Sequence, residues 1–287
     1  MGDQAMNHQE ETHKVNGQAL TLSKMIPNLI TMMALIAGMT SVQKAMTGNF
    51  EVAVLLLLAA AILDVMDGAV ARALKAQSEF GAQLDSLSDF LAFGVAPGLI
   101  LYVWTLGDAG KLGWIAAVVF PVAAALRLAR FNVMSASSAD TPLWKKRFFT
   151  GVPTPAGAIL SLFPLYVWFL TPETFEGYRW GTPLVALWAI TVSALMVSRI
   201  PTFSIKYIRI PPKMMVPTMA FVALVVAALF NAPWVTLPLI CITYAASIPV
   251  IFHQYRKLEK EHQAEEEELS SLAFGISKIQ ILPNDDE

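Results

Sequence analysis

Residues 50–103 read FEVAVLLLLAAAILDVMDGAVARALKAQSEFGAQLDSLSDFLAFGVAPGLILYV, and this stretch decides the fold class. It holds two apolar runs, Phe50–Leu74 and Ala82–Val103, separated by a short polar turn around Lys75–Glu79. About 20 apolar residues rising 1.5 Å each cross a hydrocarbon core of roughly 30 Å, so each run predicts a spanning helix. Six further runs outside it have the same character: Met25–Gln43, Leu112–Leu128, Pro155–Leu170, Trp180–Ser198, Met214–Phe230 and Trp234–Phe252. The expectation is an all-α, polytopic integral membrane protein with about eight transmembrane helices. A polar extension (1–24) would precede the membrane domain (25–253), and an acidic tail (254–287) would follow it.

Composition agrees. The 287 residues are 55% hydrophobic and 15% charged, with a mean hydropathy of +0.54, whereas soluble domains carry roughly a quarter charged residues. A formal net charge of -2 excludes the strongly basic face of a nucleic-acid binder. One cysteine, Cys241, excludes a disulfide framework and reads as a small buried hydrophobe. The first 24 residues lack the basic and apolar regions of a signal peptide. Cytoplasmic loops hold the excess of Lys and Arg. Placing both termini in the cytoplasm leaves only Lys44, Lys111 and Arg179 in outer loops, with Lys145, Lys146, Arg147, Lys206 and Arg209 inside. Trp104, Trp114, Trp144, Tyr178, Trp180 and Trp234 fall near helix ends, as interfacial anchors do. The tail turns acidic at Glu265–Glu268 and ends Asp285, Asp286, Glu287, a solvated and partly helical or disordered pattern.

Among the 22 acidic residues, Asp64, Asp67, Asp85 and Asp89 stand well inside apolar helices. A charged side chain there costs roughly 3 kcal/mol on insertion scales, so each marks a functional site by default. Residues three or four apart share a helix face. Asp64 and Asp67 therefore line one face of the second helix, and Asp85 and Asp89 one face of the third. The connecting turn brings both pairs to within roughly 15 Å of the cytoplasmic end. Four carboxylates without a nearby His or Cys make a hard oxygen site suited to Mg²⁺ or Mn²⁺, with Ca²⁺ a further fit, and not to zinc. His8, His13, His253 and His262 lie in tails or at a helix end, which excludes a zinc hydrolase of the HExxH type. Gly68 and Gly81 remove side chains beside the acids, permitting close helix packing or a flat nucleobase. Arg72, near the interface, suits bidentate phosphate binding or snorkelling to headgroups.

Read together, Asp64, Asp67-Gly68, Ala71-Arg72, Gly81, Asp85 and Asp89 occur at the spacing of the CDP-alcohol phosphotransferase signature, and the chain resembles that family. The segments Phe93–Pro97, Arg127–Asn132 and Gly151–Pro155 look like those of bacterial members whose acceptor is serine. Pro27–Thr31 is similar to the family pattern too. The resemblance covers about residues 25–210.

The resemblance implies transfer of the phosphatidyl group from CDP-diacylglycerol to the hydroxyl of L-serine, giving phosphatidylserine and CMP. It implies Asp64, Asp67, Asp85 and Asp89 as ligands of Mg²⁺ or Mn²⁺, and Asp89 as general base. Asn28, Gly68, Ala71, Arg72 and Gly81 would bind CDP-diacylglycerol. Arg127 and Arg130, three apart near the same interface, with Asn132, are the candidates for binding serine. The alternatives are a different acceptor, such as glycerol 3-phosphate, an inositol phosphate or choline, and, outside the family, a cation-coupled transporter. A homodimer in the cell inner membrane, with membrane lipids around it and the active site facing the cytoplasm, completes the expectation.

Overall fold

The computed structural model describes residues 22–136, 148–171, 181–203 and 211–280. The early acidic and histidine residues, Trp144–Arg147, Tyr178–Trp180, Lys206, Arg209 and Asp285–Glu287 lie outside them. The chain divides into two compact units, Met1–Ala92 and Phe93–Glu287.

In the first unit, α1 (Leu22–Met46) packs along α2 (Phe50–Ala73) and against α3 (Glu79–Asp89), while α2 and α3 make little direct backbone contact. Gly38 permits the approach of α1 to the end of this unit, since a Cβ there would lie 2.6 Å from the Cβ of Ala92. The turn after α2 is a Schellman motif: Ala76 N–H bonds the Ala71 carbonyl (2.9 Å) and Lys75 N–H the Arg72 carbonyl (3.2 Å). Lys75 takes the left-handed conformation usually given to glycine, with φ of 51°. Three residues later Ser78 caps α3, its Oγ accepting from Gly81 N–H at 3.0 Å. The reversal between the two acid-bearing helices is thus fixed by backbone hydrogen bonds at both ends.

The second unit contains α4 (Ala96–Trp104), α5 (Gly110–Ala136), α6 (Thr154–Ser161), α7 (Phe163–Leu170), α8 (Gly181–Val197), α9 (Met215–Asn231) and α10 (Pro233–Gln280). β1 (Phe148–Thr150) and β2 (Pro201–Phe203) form a short antiparallel ribbon, Phe148 opposite Phe203 and Thr150 opposite Pro201. α5 packs on α8, α6 on α8, and α7 and α9 on α10. Phe120, Ile100, Leu162, Leu165, Tyr166, Met196 and Leu237 form its core.

Among the described residues, each of the eight apolar runs falls mainly on helix. Five helical runs among these residues are long and apolar enough to cross a membrane: Met25–Met46, Phe50–Ala73, Glu79–Trp104, Leu106–Met134 and Pro233–Gln263. Thr154–Leu170, Gly181–Val197 and Met215–Asn231 are shorter apolar helices. Phe230, Val216 and Ile36 are 84%, 75% and 64% exposed, a surface that suits lipid rather than water.

Three runs differ from their sequence outline, each for a local reason. The third is interrupted by a π-helical segment, Phe90–Val95, just before Pro97, whose ring removes a backbone N–H and forces the ladder to widen. The fifth breaks at Leu162 because Pro164 cannot bond the Leu160 carbonyl; the indole N–H of Trp188 on α8 donates to that carbonyl instead, at 2.8 Å. The eighth continues as helix to Gln280, carrying the backbone of Glu265–Glu268 with it.

Candidate active site

The first unit places a pocket of about 190 Å³ among α1, the C-terminal half of α2 and the start of α3. Its walls include Asn28, Asp67, Gly68, Ala71, Arg72, Gly81 and Asp85. These belong to the signature, apart from Asn28, which α1 contributes.

Carboxylate oxygens of Asp64, Asp67 and Asp85 lie within 4.8 Å of one another. Asp67 is buried, and Asp64 and Asp85 are half-buried. The side chain of Asp89 lies against Asp64, as does that of Asp85, so all four acids converge. Oδ1 of Asp89 is sealed from solvent. The i, i+3 and i, i+4 spacings read from the sequence put each pair on one helix face, and the two faces meet at Asp64.

This donor set fits a hard divalent cation. It is all oxygen, it contains no Cys or His, and among the described residues no Lys or Arg forms an ion pair with Asp64, Asp67 or Asp85. Carboxylates this close repel unless a positive charge offsets them.

The two signature glycines serve different neighbours. A Cβ on Gly81 would come within 2.9 Å of Asn28 Oδ1 and 3.1 Å of Ser78 Oγ, so the missing side chain makes room for the Asn28 amide at the pocket wall. A Cβ on Gly68 would meet only a guanidinium nitrogen of Arg72, at 3.4 Å, which keeps that side of the pocket open. Arg72 is exposed at the end of α2.

The candidate acceptor residues sit on α5 in the second unit, and they differ in their contacts. They lie inside α5, which runs past them to Ala136. Arg127 is 8% exposed, and one of its terminal nitrogens donates to Thr154 Oγ1 at 2.6 Å. Arg130 donates to the carbonyls of Val197 and Ser198 at the C-terminal end of α8, at 2.9 and 3.4 Å. A cation there meets the negative end of the helix dipole. Asn132 is exposed on the same helix.

Gly151 brings Thr154 under Arg127. It has φ of +77°, and a Cβ on it would lie 2.9 Å from the Ser198 carbonyl oxygen. Its N–H bonds the Ile200 carbonyl and its carbonyl accepts from Thr202 Oγ1. The Tyr244 hydroxyl is buried beside Thr202, within electrostatic reach of Arg127.

Sequence reasoning passed over Thr31, Ser88 and Thr154. Thr31 lies three residues after Asn28, on the same face of α1, and that spacing was the available signal. Thr154 lies in the segment Gly151–Pro155 without being singled out from it, and Ser88 carries no comparable mark, since short polar residues are common in membrane helices.

A sequence profile described as CDP-alcohol phosphatidyltransferase matches residues 24–195, and a second, CDP-alcohol phosphatidyltransferase 2, matches residues 213–249. The second match takes in the last two helices, which the signature does not reach. Among similar proteins is a CDP-diacylglycerol--serine O-phosphatidyltransferase of Mycobacterium leprae, 35% identical over 84% of this chain and 79% of its own. Proteins of the same name from Helicobacter pylori and Methanocaldococcus jannaschii are 33% and 32% identical, over 70% and 77% of this chain and 81% and 90% of their own. With Asp64, Asp67 and Asp85 of the signature clustered and a profile match over more than half its length, the chain belongs to the CDP-alcohol phosphatidyltransferase family.

Proposed function

We propose that this membrane enzyme transfers the phosphatidyl group of CDP-diacylglycerol to the hydroxyl of L-serine, releasing CMP. The observation that carries the reaction class is the cluster of Asp64, Asp67 and Asp85, of which Asp67 and Asp85 line a pocket walled also by Gly68, Ala71, Arg72 and Gly81. The serine acceptor is supported by the shared name of the relatives.

Asp64, Asp67 and Asp85, with Asp89 beside them, hold a divalent cation, Mg²⁺ or Mn²⁺. When bound, such a cation neutralises diphosphate oxygens and the charge developing on departing CMP. Asn28, Gly68 and Gly81 give the cytidine and diphosphate their place in the pocket, and Arg72 binds phosphate oxygens at its mouth. Asp89 takes the serine hydroxyl proton as that oxygen attacks the phosphorus bearing diacylglycerol. The bond from that phosphorus to the CMP oxygen breaks, and phosphatidylserine forms directly. Arg127 receives the serine carboxylate, with Arg130 and Asn132 nearby on α5.

Around this site we place eight spanning helices, the extension 1–24 and the tail 254–287 both in the cytoplasm, and a homodimer in the inner membrane. A cytoplasm-facing pocket serves a lipid donor and a water-soluble acceptor at once. The test is purified protein in mixed micelles with CDP-diacylglycerol, Mn²⁺ or Mg²⁺, and labelled serine, glycerol 3-phosphate and inositol phosphate in parallel. CMP release with label entering lipid from serine alone supports the proposal. CMP release with another acceptor overturns the serine reading, and none with any acceptor overturns the enzyme.

A further inference from the structure

Thr31 reaches beyond its own helix, as most threonines of the described helices do not. Thr40, Thr191, Thr218, Thr236 and Thr243 each turn the hydroxyl back to the carbonyl four residues earlier, the ordinary helical habit of this side chain. Thr31 Oγ1 lies 3.1 Å from the Pro27 carbonyl oxygen, but it also contacts Oδ2 of Asp67 on α2 at closer range. A hydroxyl has one proton, and the carboxylate is the stronger acceptor. The backbone of Thr31 is held in turn, because Ser88 Oγ on α3 donates to its carbonyl at 3.2 Å. Thr31, Asp67 and Ser88 are each 4% exposed, so water does not compete for these bonds. One residue of α1 therefore ties together the two helices that carry the acids.

We propose that Thr31 is a positioning residue for the cation site, its hydroxyl fixing the Asp67 carboxylate in the orientation that faces Asp64 and Asp85. This rests on the cation reading given above. A carboxylate that must approach two others gains nothing from freedom to rotate, and repulsion turns it away. A hydrogen bond to one oxygen opposes that rotation and leaves the other oxygen available. The role needs a hydroxyl on a short stem at residue 31: valine has the shape of threonine without the donor, and serine keeps the donor without the methyl.

The experiment measures Mn²⁺ binding to purified full-length protein without substrate, by the loss of the free-ion electron paramagnetic resonance signal. Thr31→Val is expected to weaken Mn²⁺ roughly tenfold to a hundredfold, the usual range for loss of a partner to a metal ligand. Thr31→Ser should stay within about threefold of wild type, with thermal midpoints of both variants close to it. Thr31→Ala serves where Thr31→Val yields no folded protein. Wild-type affinity in a folded Val or Ala variant, beside weakened binding in Asp67→Asn, overturns the positioning role alone. Equal weakening in Thr31→Ser overturns it as well, since the donor is then irrelevant. No Mn²⁺ binding by the wild-type protein overturns the cation reading and this inference with it.

Discussion

Asn28 Oδ1 on α1 occupies the space that a side chain on Gly81 of α3 would fill, 2.9 Å from where its Cβ would stand. The glycine of the signature is thus a seat for an amide on another helix, and the pocket wall is built from both. A Cβ at residue 81 pushes Asn28 out of place and also crowds the Ser78 cap at 3.1 Å.

Gly81→Ala is therefore expected to lower CMP release by roughly tenfold or more, the scale on which a small misplacement acts. Measuring KM for CDP-diacylglycerol beside the thermal midpoint separates a damaged pocket from a damaged fold.

Asp89→Asn keeps the shape of the side chain and removes its capacity to take a proton. Turnover should fall by 10² or more, the lower bound of what general base catalysis contributes, while CDP-diacylglycerol binding stays near wild type. Full activity in this variant refutes the base assignment.

Arg127 and Arg130 should answer differently. Thr154→Val removes the hydroxyl that holds Arg127 at 2.6 Å, and is expected to raise the KM for serine several-fold with little change in that for CDP-diacylglycerol. Arg130→Met leaves the carbonyls of Val197 and Ser198 without their donor, and should cost about 1–3 kcal/mol of stability. Initial-rate kinetics and thermal unfolding in detergent check the pair.

Trp188→Phe removes the indole donor from the Leu160 carbonyl, which the Leu162 N–H also meets, and should cost about 1 kcal/mol, the net worth of one hydrogen bond. Pro164→Ala restores a backbone N–H for that carbonyl. In the Pro164→Ala background the tryptophan should matter less by about 1 kcal/mol, and a double-mutant cycle of unfolding free energies measures the coupling.

Lys75→Gly relieves a left-handed residue at the end of α2 and should stabilise the first unit by about 1 kcal/mol. A raised thermal midpoint with unchanged KM for CDP-diacylglycerol is the expected outcome.

Counting along the chain is enough for part of the architecture. Apolar run length marks Phe50–Leu74 as a helix whatever it packs on. The three- and four-residue spacings put Asp64 with Asp67 and Asp85 with Asp89 whatever lies opposite. The cost of charge in lipid made those four acids conspicuous, and the family followed from their spacing.

Which distant helix faces which emerges only from the packing. Arg127 and Arg130 are alike in the sequence, yet one bonds a threonine on α6 and the other two carbonyls at the end of α8. Nothing along α1 says that Thr31 meets Asp67, 36 residues away. Helical periodicity assigns a residue to a face, but the partner of that face is set by how the helices pack. A hydrogen bond between helices exists only once that packing has brought donor and acceptor within about 3 Å.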